Sequence, residues 1–421
     1  MQFHNGKVIV AHPGRQHSYR LASALKHAGL LNEYVTTLYY RSPVSLLGLM
    51  AAVAPGDNGD RIRNRCNPDL DPQDVKQFYE LRGIAETLMW RAKDPSRYLP
   101  YMQKTSRLFG TAVAKEAIAH GVSAVVCYDG QSSACFRYLK ANAPHIKRVL
   151  DVSSASRPYI RCVYETIMAR SGDDFLKQEN PRIWDTSSDE AARDEIALSD
   201  YFLAASDYVA ASLQFAGVKP GQILKLPYGC NFNNKPDVTR DLAADPVRLL
   251  FVGQCVARKG LNDIARAMDV LKGSNIRLTI AGAYDRDAPY MRSLLENPNV
   301  EVLGLVDRKQ VAELCMKSDV FVFPSCTEGM SLACLEAMGS GLPIICTFNS
   351  GVNDLVVEGE TGFFVTPGDW HDLLEKIKML SSDRRLLADM GMNAYNRALD
   401  FSWKTYELNA ARLFNEKILG D

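Results

Sequence analysis

Residues 319–346 read DVFVFPSCTEGMSLACLEAMGSGLPIIC. An apolar run rich in Val and Phe enters a turn of small polar residues, passes into a helical stretch and leaves through a second apolar run. A short strand, a helix and another short strand in that order form the unit from which parallel sheets are wound. The same alternation extends outward on both sides. Residues 248–252 (RLLFV), 276–282 (IRLTIAG) and 299–303 (NVEVL) lie upstream and 362–365 (GFFV) lies downstream, with helical patterns between them. This half therefore reads as a complete doubly wound unit. A second, earlier series, 7–11 (KVIVA), 124–128 (AVVCY), 148–152 (RVLDV) and 201–204 (YFLA), predicts a parallel sheet in the N-terminal half.

A chain of 421 residues exceeds what one hydrophobic core organises, so two domains are expected, with a ligand cleft between them. The polar stretch Asn231 to Pro246 is the expected linker. It separates an N-terminal domain at 1–235, carrying an insertion-like region at about 41–110, from a C-terminal domain at 236–400. Residues 401–421 remain as a terminal piece. Within it a helix over 402–417 holds Trp403 and Tyr406, and its expected place is against the N-terminal domain.

The 49 basic and 49 acidic side chains cancel, which argues against a nucleic-acid-coating protein. Ten cysteines fall singly, without a Cys/His cluster at metal-ligand spacing, and read as reduced, mostly buried thiols. The first apolar run is too short for a signal peptide, and no stretch approaches the roughly 20 apolar residues of a membrane span. A soluble cytoplasmic protein is the expectation.

Two patterns carry chemistry. In the first, Glu328 and Glu336 have seven residues between them, and Glu336 sits among Leu332, Ala333, Cys334, Leu335, Ala337 and Met338. A carboxylate in such a setting needs definite hydrogen-bond donors, and a ligand's vicinal hydroxyls supply them. A neighbouring Arg or backbone group is the plainer account. Glu328 lies in the turn before the helix, where Gly329 lets the backbone approach a ligand and the N–H groups of Met330, Ser331 and Leu332 favour an anion. An acidic residue at a helix start explains Glu328 equally well.

The second pattern is VGQCVARKG, residues 252–260. A strand ends at Gly253, a loop carries Arg258 and Lys259, and Gly260 opens a helix. That places two cations at the carboxyl edge of a parallel sheet, where open α/β folds bind ligands. Fixed cations there stabilise a departing nucleoside diphosphate without any metal. A lone Arg–Lys pair is otherwise ordinary solvated surface.

With EGMSLACLEAMGSGLPIICT (328–347) and NSGVNDLVVEGETGFFVTPGD (349–369), the region from about 248 to 400 resembles the donor domain of family 4 retaining glycosyltransferases of the GT-B fold. DEIALSDYFLAASDYVAASLQFAGVKPGQILKLPYGCN (194–231) is similar to that family's approach to its interdomain linker. The resemblance implies an α/β protein of two Rossmann-like, doubly wound domains facing a cleft. It implies sugar transfer from a nucleoside diphosphate sugar to an acceptor hydroxyl, with no cofactor and no metal. Glu328 matches the glutamate expected on the donor sugar, Glu336 the one expected on the ribose, and Lys259 the lysine expected on the diphosphate. Gln254 stands where many relatives carry an arginine, and Arg258 is the candidate replacement. Leu305 and Val306 sit where relatives read the base, whose identity is open.

In the N-terminal half, HPGRQHS (12–18) follows the first strand, and Gly14 matches a glycine that faces the diphosphate in the family. Arg15, His17 and Ser18 are candidates for contact with donor or acceptor. In DVSSASRPYIRCVYE (151–165), Ser156 stands where several relatives carry a histidine beside the sugar. Asp129, His12 and His17 are the groups open to take its place; a slow or inactive protein is the other account. The apolar patch Leu46 to Val53, followed by Arg61, Arg63 and Arg65, suits an anionic membrane surface or a lipid-linked glycan, against the plainer reading of a helix packed on the core. Polysaccharide or glycolipid assembly is the context in which many relatives work. A sugar-nucleotide epimerase or a nucleotide-sugar-binding subunit without turnover are the competing readings.

Overall fold

The computed structural model describes residues 7–14, 17–54, 58–91, 95–186, 189–232 and 246–420. Two parallel sheets organise them. The N-terminal sheet holds β1 (Val8–Ala11), β2 (Leu31–Thr36), β3 (Val75–Gln77), β4 (Ala124–Tyr128), β5 (Lys147–Val152), β6 (Tyr201–Ala204) and β7 (Ile223–Lys225), in the order β3-β2-β1-β4-β5-β6-β7. The C-terminal sheet holds β8 (Val247–Val252), β9 (Ile276–Ala281), β10 (Val300–Gly304), β11 (Val320–Phe323), β12 (Ile344–Cys346) and β13 (Gly362–Phe364), in the order β10-β9-β8-β11-β12-β13. Helices cover both sheets, and strands such as VIVA in β1 and AVVCY in β4 are buried throughout, as parallel strands are.

In each sheet the winding reverses once, between β1 and β4 and between β8 and β11. Loops leaving the carboxyl ends of those strands diverge and open a crevice. The loops after β1 and β4 carry His12, Gly14, His17 and Asp129; those after β8 and β11 carry Gly253 to Gly260 and Pro324 to Gly329. These four loops thus sit at the reversal points, whereas the candidate loop after β5 and Leu305–Val306 after β10 do not.

The sequence reading missed β2, β3 and β7. In LNEYVT only the second half is buried, and β3 and β7 are three-residue strands at the two sheet edges, so none shows a long apolar run. The 41–110 stretch is more than an insertion. It supplies the helix Leu46–Val53, edge strand β3 and most of the helix Pro95–Ala119, whose Phe109, Val113, Ala114 and Ala117 are buried against one face of the N-terminal sheet. That helix is the crossover that a parallel sheet requires before β4. The expected linker lies almost wholly outside the described residues; Asn231, Phe232 and Pro246 are its described members.

The chain's last helix, Trp403–Leu413, returns to the N-terminal domain and lies on the helix Ser18–His27. The Arg20 guanidinium stacks over the Trp403 ring at 4.4 Å, and His27 Nδ1 meets Glu407 at 3.1 Å. Gly229 lies so close to this segment that a Cβ there would stand 2.5 Å from the Ser402 carbonyl carbon, which accounts for the glycine in Pro-Tyr-Gly.

At the amino ends of the strands, away from the crevice, the two domains use one device twice. Arg148 at the start of β5 donates its amide and guanidinium to Asp200 at 2.8 and 2.6 Å. Arg248 at the start of β8 does the same with Asp319, its guanidinium bonding both carboxylate oxygens at 2.9 and 3.0 Å. Asp319→Ala removes acceptors for one amide and two guanidinium bonds, and is expected to lower the unfolding free energy by about 2 kcal/mol, read from the urea midpoint. An unchanged midpoint would show that this clamp contributes nothing.

Candidate active site

The loop after β8 winds into a 3-10 turn, Ala257–Lys259, closed by Gly260 at φ +77°. A Cβ on Gly260 would stand 2.1 Å from the Pro324 carbonyl oxygen, so glycine is required for this turn to lie against the loop leaving β11. The amide of Cys326 and the hydroxyl of Ser325 donate to the Arg258 carbonyl at 2.8 and 3.1 Å. Two loops far apart in the chain are thereby stitched together.

Their side chains then converge. Arg258 Nη1 is 3.0 Å from Glu328 Oε1, and the Lys259 ammonium pairs with the same oxygen. The Ser325 hydroxyl donates to it at 2.8 Å. Burial lowers the proton affinity of Lys259, and the neighbouring Arg258 lowers it further, against the pull of Glu328; the result is a pKa below that of ordinary lysine. Glu328 thus holds two cations that would otherwise repel each other in a half-buried place.

Gly329 brings this cluster to the opposite domain. A Cβ there would stand 1.8 Å from the Ser153 carbonyl oxygen of the loop after β5, a distance no side chain survives. The Gly329 carbonyl accepts the Ser206 hydroxyl, Thr327 accepts from the Tyr208 hydroxyl at 3.0 Å, and the Tyr228 amide meets Met330 Sδ at 3.1 Å. Ser206, Tyr208 and Tyr228 belong to the phrase 194–231, whose other members serve the fold. Glu195 accepts the amides of Gly130 and Ser132 at 2.7 and 2.8 Å, and Asp200 holds Arg148.

Glu336 stands outside the cation cluster. Its side chain is half-buried rather than sealed in the apolar helix, because only one face of Leu332–Met338 meets the core. Arg308 Nη2 reaches its Oε1 at 3.1 Å, so the plain partner considered from the sequence is present. Arg308 follows Leu305 and Val306 by two or three residues, so this contact brings Glu336 to the segment expected to meet the base. Leu305 is 83% exposed and Val306 half-buried at the end of edge strand β10. The amide of Ser331, expected to face an anion, donates instead to the Ser350 carbonyl at 3.2 Å, and its hydroxyl caps the helix at Cys334. Met330 is buried and Leu332 37% exposed. Gly253 donates to Ala281 as β8 ends, and Gln254 is exposed.

On the N-terminal side, His17 Nε2 lies 3.2 Å from Asp151 Oδ1 and 2.9 Å from the Tyr228 hydroxyl. Its ring stands edge-on to Tyr128 at 5.1 Å. Burial alone would lower the imidazolium's pKa, but the carboxylate of Asp151, with a smaller pull from Asp129, more than reverses this and raises it above 6.5. Asp129 accepts the Ser153 amide and hydroxyl at 3.2 and 2.9 Å, and burial raises its pKa despite those bonds. Ser153 therefore touches both sides of the cleft, Asp129 through its donors and Gly329 through its carbonyl.

Several candidates have structural duties. The Gly14 amide donates to His12 Nδ1 at 2.7 Å, and His12 is buried against Tyr128. Ser18 does not reach the cleft, since it is fully buried and bonds the Tyr34 hydroxyl at 2.9 Å. Ser156 stands at the N-cap position of the helix Arg157–Ser171 without a side-chain capping bond, and its amide donates to the Ser212 hydroxyl at 3.0 Å. Arg15 lies outside the described residues. Asp151, Tyr228 and Arg308 were not singled out from the sequence. An Asp closing the apolar run RVLDV at a strand's carboxyl end was the available signal for the first; nothing local marked the other two.

Solved structures place this architecture among the GT-B proteins. Sucrose-phosphate synthase from Thermosynechococcus elongatus is similar over 99% of this chain and 100% of its own, at TM-score 0.64 and 19% identity. Anabaena HepE, solved in complex with UDP, is similar over 97% of this chain and 100% of its own, at TM-score 0.59 and 15% identity. Residues 237–397 match the family model for glycosyl transferases group 1. The capsular polysaccharide biosynthesis glycosyltransferase CapM of Staphylococcus aureus is 33% identical over 153 residues, 35% of this chain and 40% of CapM. A sulfoquinovosyl transferase of Arabidopsis thaliana is 30% identical over 159 residues, 37% of this chain and 31% of that protein. The chain spans less than half the length of either relative.

The His17–Asp151 pair sets a pH dependence. A histidine whose folded pKa is raised contributes stability that is fully present below its unfolded value and is lost as pH rises through the folded value. The stability difference between wild type and His17→Asn is therefore expected to be largest below pH 6.5 and to shrink toward pH 9, measured by urea denaturation across that range. A difference that grows with pH would mean that His17 is held neutral.

Proposed function

We propose that this protein is a glycosyltransferase that moves a sugar from a nucleoside diphosphate sugar to an acceptor hydroxyl with retention at the anomeric carbon. The observation that carries the reading is the convergence of Arg258 and Lys259 on Glu328, beside the close backbone approach at Gly329. An incoming diphosphate takes over the two cations, and their charge stabilises it as a leaving group while the sugar bond breaks. No metal is needed for that charge, so transfer is expected to survive EDTA. Glu328, freed from the cations, turns its oxygens to the donor sugar, and Glu336 accepts from the ribose hydroxyls with Arg308 holding its other side. Leu305 and Val306 line the base.

The acceptor enters from the N-terminal side, where His17 pairs with Asp151 and feels the nearby charge of Asp129. A glycan or lipid-linked acceptor suits the names of the relatives, among them a capsular polysaccharide enzyme and a sulfoquinovosyl transferase. No described helix is long and apolar enough to cross a membrane. Peripheral contact is supported by Val44 at 83%, Leu49 at 58% and Val53 at 83% exposure, with Arg61 on the next helix.

Two experiments test this. Wild type is expected to be stabilised in a thermal-shift screen by one nucleoside diphosphate and its sugar conjugates, and Lys259→Ala and Glu336→Ala are each expected to weaken that ligand about tenfold or more by calorimetry. Unchanged affinity in both variants removes the donor-site assignment, and donor binding without transfer or hydrolysis would identify a binding subunit instead. Vesicle flotation at low salt tests the membrane contact: capture by anionic but not neutral vesicles is expected, to be lost in Leu49→Ser/Val53→Ser, and no capture ends that part.

A further inference from the structure

The segment 167–179 belongs by sequence to the N-terminal domain but lies on the C-terminal one. After the helix Arg157–Ser171 and the left-handed Gly172, at φ +73°, the chain forms the short helix Phe175–Glu179 against the turn Ala257–Lys259. The contact is extensive. Gly368 abuts Ile167, Arg170 donates to the Pro367 carbonyl at 2.6 Å, and Arg266 donates to the Ser171 carbonyl at 3.2 Å. Asp173 accepts from Asn262 at 2.5 Å, and the Phe175 ring stands edge-on to Tyr290 at 5.7 Å.

The segment ends at Glu179, and there it meets the cation loop. Glu179 Oε2 accepts the Ala257 amide at 2.6 Å, while its other oxygen accepts the Tyr290 hydroxyl. Ala257 is the first residue of the turn whose next two are Arg258 and Lys259. The opening amides of a helical turn have no partner within it, and a carboxylate that supplies one fixes the direction in which the turn starts. One turn is thus gripped from both domains, by Glu179 at its backbone and by Glu328 at its side chains.

We propose that Glu179 is a positioning residue for the Arg258–Lys259 turn, through which the N-terminal domain sets the aim of the two cations. The inference rests on the reading of those cations as diphosphate ligands. Its physical content is a sign. As mere negative charge near an anion site, Glu179 would weaken diphosphate binding, and removing it would tighten the complex. As an acceptor that orients the turn, it strengthens binding, and removing it costs affinity.

The test titrates UDP, ADP, GDP and dTDP into the full chain by calorimetry and follows the one that binds wild type. Glu179→Ala is expected to weaken it about fivefold, the effect of one lost hydrogen bond. Glu179→Gln, which keeps an acceptor for the Ala257 amide but not the charge, is expected to stay within about twofold of wild type. A thermal midpoint for Glu179→Ala close to wild type separates positioning from general loss of structure. Tighter or unchanged binding in Glu179→Ala, or equal weakening in the alanine and glutamine variants, overturns the proposal while leaving the diphosphate reading intact, provided Lys259→Ala still loses binding. Failure of all four nucleotides to bind wild type overturns the diphosphate reading, and this proposal with it.

Discussion

Arg258 and Lys259 are adjacent on a tight turn and partly withdrawn from water, and like charges so placed are stable only with an anion between them. Glu328 is that anion: its Oε1 receives Arg258, Lys259 and the Ser325 hydroxyl together. The arrangement requires the loops after β8 and β11 to touch, which the glycine at 260 permits by leaving room for the Pro324 carbonyl. On the proposed reading, the cations are attached to a group that an incoming diphosphate displaces. Held on that carboxylate, the three donors are fixed in one place before any ligand arrives.

Around this cluster the two domains divide their labour between the two ends of their sheets. At the amino ends, Arg148–Asp200 and Arg248–Asp319 pin strand to strand with bonds that face away from the crevice. At the carboxyl ends, polar groups are left to meet across it. Ser153 bonds Asp129 on its own side and packs its carbonyl against Gly329 on the other, while Tyr228 links His17 to the start of the linker. The 167–179 segment and the C-terminal helix cross between the halves, so two separate parts of the chain bear on how the cleft is set.

Strands buried on both faces announce themselves as apolar runs, and so β1, β4, β5, β6, β8, β9, β11 and β12 were legible within a residue or two; the edge strands β10 and β13 were legible through the Val and Leu of NVEVL and the aromatic pair of GFFV. The edge strands β3 and β7 of the N-terminal sheet were not: each is three residues long and only partly buried, so its sequence looks like loop. Glu328, Arg258 and Lys259 were legible because local context, a strand end followed by glycine, places them at a sheet edge. Glu336 was legible as a candidate, but its surroundings were misjudged, since the helix turns it toward Arg308 and solvent rather than into the core. Ser18 looked accessible beside His17, yet one residue of helical rotation carries it into the interior against Tyr34.

The sequence by itself determined the class of fold, two parallel α/β sheets, and which charged side chains stand at their rims, because burial patterns and glycine positions are local properties of a chain. Only the tertiary structure decided which groups face one another: Asp151 with His17, Arg308 with Glu336, and Glu179 with the amide of Ala257. Each of those pairs joins residues from different strands, helices or domains. Their meeting depends on sheet order and on the closure of two domains, and no spacing along the chain encodes either.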